Sequence, residues 1–172
     1  MQMREQTRSG FYHQFRTQTA DFSALEEKCR NMSDYQAQAE AFKYFTSVEK
    51  PVIIKGEKLH FTRTLGIVIP RIRGGYVLEN LSPDYALLLK EGVSGRIKVA
   101  EKELAKTDIT DEERDFLNAA VSMMRDTLAF SERYAAAAEE IGEKETAELL
   151  RSVPANPAKT LHEALQSIIF IN

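Results

Sequence analysis

Apolar residues recur at helical spacing through most of the chain and change to another pattern only between residues 51 and 80. The first 32 residues are the hardest to assign. Phe11, Tyr12 and Phe15 share a helical spacing, and Asp21 to Leu25 reads as the start of a second short helix that carries Cys29. From Ser33 the pattern sharpens. Ser33 and Gln36 form a capping box, in which the hydroxyl accepts from the N–H three residues on and the amide reaches back. Tyr35, Ala39, Phe42 and Phe45 come next on one face. They predict a core-facing helix that ends near Glu49, because Pro51 disfavours a helical residue before it.

In PVIIKGEKLHFTRT two β-prone runs flank Gly56, and Pro70, Gly74 and Gly75 punctuate the residues beyond Thr64. This section reads as short strands or an extended loop. Ser82-Pro83-Asp84 then opens a helix with a cap before a proline, Gly92 closes it, and a second helix covers roughly Gly95 to Lys106. Thr110 and Glu113 make another capping box, and Gly142 is the natural stop. Between them Leu117, Ala120, Val121, Met124, Leu128, Ser131, Ala135 and Ala138 lie on one stripe. A helix of about 30 residues is predicted, ~45 Å long at 1.5 Å per residue. A short helix over Glu143 to Leu150 comes after it, broken by Pro154 and Pro157.

The last helix starts at a third capping box, Thr160 with Glu163, and runs through Leu161, Ala164, Leu165, Ile168, Ile169 and Phe170. It has a start signal and no stop signal. Its apolar residues cover most of the circumference, which predicts burial on several sides. Leaving three such side chains in water would forgo on the order of 5 kcal/mol. The expectation is that structure beyond these residues covers Ile168 to Ile171.

Composition narrows the class. Of 172 residues, 43% are apolar and 28% charged, which excludes a disordered chain. The net charge of −3 gives no reason to expect nucleic acid or an anionic membrane as partner. Cys29 is the sole cysteine, so no internal disulfide can form, which suits a reducing compartment. The N-terminus lacks the apolar core of a signal peptide, and no apolar run approaches the ~20 residues that cross a bilayer. A soluble cytoplasmic protein is expected.

Candidate chemistry is sparse. His13, His60 and His162 stand at no metal-ligand spacing from one another or from Cys29. His162-Glu163 begins like a zinc-protease motif, but Gln166 stands where the second histidine belongs. Lys28 and Arg30 beside Cys29 are opposed by Glu26 and Glu27, so the thiol reads as structural. Arg63, Arg71 and Arg73 read as a solvated or salt-bridged basic group. Glu112, Glu113 and Asp115 suit a helix start, while Glu139, Glu140, Glu143 and Glu145 suit solvated faces. No nucleophile elbow or dinucleotide fingerprint is present. No catalytic, cofactor-binding or metal-ligating residue is therefore assigned.

Two stretches carry a resemblance. VPANPAKTLHEALQS, residues 153 to 167, and LENLSPDYALLLKEGVSGR, residues 78 to 96, resemble the N-terminal region of glycyl radical enzymes, the pyruvate formate-lyase superfamily. Glu132-Arg133-Tyr134-Ala135 and the run around Gly56 fit the same pattern, so the likeness covers roughly residues 35 to 172. It implies a mainly α fold: the helical N-terminal segment of an α/β-barrel enzyme, one partial domain over 1–172, with a short β or extended section near 51–80.

The resemblance also implies a mechanism. A radical stored on a glycine passes to a cysteine, whose thiyl takes a hydrogen atom from the substrate; cleavage and dehydration reactions result, without oxygen. A radical S-adenosylmethionine activase installs the glycyl radical. This sequence holds neither the glycine loop nor a cysteine in the matching context, so Cys29 inherits no thiyl role and the chain is expected to be inactive alone, with no cofactor of its own. The implied partner is the remainder of the barrel, in cis or as a separate chain, and a homodimer is left open. The alternative is a non-catalytic helical interaction module derived from that fold. A small enzyme using His162 and Glu163 as acid and base is disfavoured, because the capping box occupies Glu163.

Overall fold

In the computed structural model, which describes residue 5 and residues 9–62, 64–65 and 83–171, the long helix predicted from Thr110 is the axis of the fold. A 3-10 turn at Phe11–Phe15 precedes α1 (Ser23–Cys29), α2 (Asp34–Val48), α3 (Tyr85–Leu104), α4 (Asp111–Glu140), α5 (Lys144–Ser152) and α6 (Leu161–Ile171). α2, α3 and α5 each pack along α4; α1 rests on α2, and α6 touches α3 and α5. Residues 51–62 form no helix or strand and turn at 55–56, and among the described residues the only β pairing is an isolated parallel bridge between Gln18 and Leu65. The molecule is mainly α, as the periodicity predicted. Arg63, Arg71 and Arg73, with Pro70, Gly74, Gly75 and residues 78–82, lie outside the described residues.

The capping chemistry sets the helix starts. Thr110 and Glu113 form the full reciprocal box at α4. At α2 only half of the box forms: Ser33 accepts from the Gln36 N–H at 3.1 Å, while the Gln36 side chain turns away to donate to Asp115 on α4. The α3 cap is Asp84 rather than Ser82; its carboxylate accepts from the Leu87 N–H at 2.9 Å. At Gly92, where φ is 66° and ψ 170°, α3 breaks and restarts.

Three flanking helices require a wider buried arc on α4 than a single stripe. Val121 faces α3 with Val93, Ile97 and Ala100. Further along, Phe130, Tyr134, Ala135 and Ala138 meet Ala147 and Leu150 of α5 and Phe170 of α6. Alanine on α4 lets α5 approach closely enough for Ser131 to donate to the Leu150 carbonyl at 2.7 Å. Leu117, Met124 and Leu128 from the predicted stripe are only half-buried. Tyr35, Phe42 and Phe45 are likewise half-buried rather than core, with Tyr35 edge-on to Phe116 of α4.

α6 departs most from its sequence reading. Phe170 is sheltered, 5% exposed, inside an aromatic group with Phe61, Phe130 and Tyr134. Beside it the polar Gln166 and Ser167 are buried, whereas Leu161, Leu165 and Ile169, four residues apart on one face, are 77%, 43% and 39% exposed. The helix is buried on one side only, and the polar pair Gln166 and Ser167 lies on that side.

Candidate functional site

The stretches singled out in the sequence meet in space, and they meet through backbone. Gly92, in Lys90-Glu91-Gly92, lies against Pro154-Ala155-Asn156. A Cβ at 92 would stand 2.5 Å from the Ala155 oxygen, so only glycine fits. The Val93 N–H donates to the Pro154 carbonyl (2.9 Å), the Ser94 N–H to that of Ala155 (3.0 Å), and the Ala158 N–H to that of Leu89 (3.0 Å). The first free N–H groups of the restarted helix are thus capped from another part of the chain.

Glu132-Arg133-Tyr134-Ala135 anchors the extended section. The Arg133 guanidinium donates to the Glu49 carbonyl at 2.7 Å and to the Thr46 carbonyl, and the Tyr134 hydroxyl donates to the Thr62 carbonyl at 3.1 Å. The Glu49 carboxylate, fully buried, accepts from the Thr64 hydroxyl and from the N–H groups of Thr64 and Leu65. On the other side, Gln166 pairs with the backbone of His60: its oxygen accepts from the His60 N–H and its amide donates to the His60 carbonyl, both at 2.9 Å. Every one of these contacts holds a chain segment in place, and none pairs a nucleophile with a base.

The candidate residues fare accordingly. His162 donates through Nε2 to the Lys58 carbonyl, and Glu163 accepts from the Lys159 N–H, so the two are held by backbone and form no acid–base couple. Cys29 is buried with its thiol 3.9 Å from the Ala37 carbonyl. Burial, with some help from Glu40, pushes its pKa up, the opposite of an activated thiolate. His13 is exposed on the 3-10 turn. Among the described residues no three His, Cys, Asp or Glu side chains could hold a metal.

Sequence reasoning gave neither Glu49 nor Gln166 an anchoring role. The single hint was a polar pair, Gln166-Ser167, inside an otherwise apolar run.

Two hollows lie beside these contacts. An apolar one of about 480 Å3 opens where α2, α3, α4 and α6 converge, lined by Phe45, Leu88, Met123, Met124, Phe130 and Ile171 among others. Arg96, its one charged liner among the described residues, is paired with Glu91 at 3.2 Å. A polar cleft of about 400 Å3 lies between the Gly56 turn, α5 and the start of α6. His60 forms part of its wall. Burial pushes the His60 pKa down; Glu143 opposes this, while His162 and Lys58 reinforce it.

Known proteins show the same relationship. A family model described as pyruvate formate lyase-like matches residues 12–172. Among solved structures, the glycerol-bound form of the B12-independent glycerol dehydratase from Clostridium butyricum aligns with a TM-score of 0.70 at 16% identity, over 86% of this chain. The alignment covers 30% of that dehydratase, so this chain spans less than a third of its length. At that identity the likeness is one of fold. No curated protein matches the sequence.

Proposed function

Because the chain belongs to the pyruvate formate lyase-like family, we propose that it works as the N-terminal helical part of a glycyl radical enzyme, forming a wall against which the catalytic barrel assembles. The observation that carries this reading is the polarity of α6: Gln166 and Ser167 point inward while Leu161, Leu165 and Ile169 face out. A helix arranged this way is satisfied only when its outer face meets other polypeptide. The open apolar hollow beside α6 supports the same conclusion. The residues of the family pattern are spent on architecture, so the radical-bearing glycine and the thiyl cysteine belong to the partner portion, and this chain alone is catalytically silent. The glycyl radical would be installed by a radical S-adenosylmethionine activase.

Reconstitution tests the proposal. The chain is mixed anaerobically with a fragment carrying the rest of the barrel, and with its activase. A glycyl radical signal in electron paramagnetic resonance is expected, and none when this chain is omitted. Failure of the two pieces to form a complex would count against the reading and favour the second one, a helical interaction module whose exposed α6 face binds a different protein. That module reading rests on the same stripe.

A further inference from the structure

We draw no further inference here: the strongest candidate, the apolar hollow where α2, α3, α4 and α6 converge, has the polar side chains of its wall already committed among the described residues, Arg96 to Glu91 and the Thr46 and Thr127 hydroxyls to carbonyls of their own helices, so nothing in the structure shows what covers it.

Discussion

Gln166 and His60 show how much of this fold rests on single side chains. Gln166 satisfies both backbone groups of His60 in a buried position, so Gln166→Leu strands an N–H and a carbonyl at once. At about 1–3 kcal/mol for each unsatisfied buried group, the loss should be ~2–6 kcal/mol in urea denaturation. A loss below that of an ordinary surface substitution would show that the pairing carries no weight. His60 itself makes stability depend on pH. Its pKa in the fold is lowered, by burial first, against the charge of Glu143 and with that of His162 and Lys58. Between that value and the unfolded one near 6.5 the unfolded chain holds the extra proton, so stability is complete above about pH 6.5 and falls as the medium is acidified. The carboxylates whose pKa values are lowered, Asp21, Glu113 and Glu139, lose their contribution only further into acid. Melting temperatures at about pH 7 and pH 5 should therefore differ less in a His60→Leu chain than in the parent. Equal differences would remove His60 as the cause.

At the level of elements, two glycines with positive φ meet different surroundings. Gly92 and Gly142 both have positive φ, 66° and 82°, but a Cβ at 92 meets the Ala155 carbonyl whereas one at 142 meets nothing within 4 Å. Gly142→Ala should cost ~1–2 kcal/mol, the positive-φ penalty alone, and Gly92→Ala ~2–5 kcal/mol, because its ψ of 170° adds backbone strain and the 154–156 backbone must also move. Comparable losses would mean that the packing at 92 is looser than it looks. Thr110→Ala, which dismantles the box at α4, should cost ~1 kcal/mol by the same measurement. These starts were legible in the sequence because a cap is local chemistry: Thr110, Ser33 and Thr160 each bind an N–H three residues away. What lay beyond reach depended on distant partners. The Gln36 amide was expected to turn back to its own helix and instead meets Asp115; Gln166 was read only as a failed zinc ligand; nothing near Glu49 announced the N–H groups of Thr64 and Leu65. The apolar run of α6 was read as wrapped on several sides because periodicity reports hydrophobic content and not which flank a neighbour occupies.

For the molecule as a whole, the outward stripe of α6 allows association and stability to be pulled apart. Leu165→Glu combined with Ile169→Glu touches side chains already 43% and 39% exposed, so the chain alone should melt within ~0.5 kcal/mol of the parent. The same pair should prevent capture by the barrel fragment in a pull-down. Retained capture would place the contact elsewhere. A different consequence arises from the way α3 resumes after Gly92. Its leading amides, those of Val93 and Ser94, find their acceptors in Pro154 and Ala155, which a ribosome adds long after the helix itself has emerged. During synthesis that helix must wait, its first turn open to solvent, until the later stretch arrives to close it. A nascent chain released just before residue 153 should therefore exchange the amide protons of Val93 and Ser94 freely, while the finished one protects them.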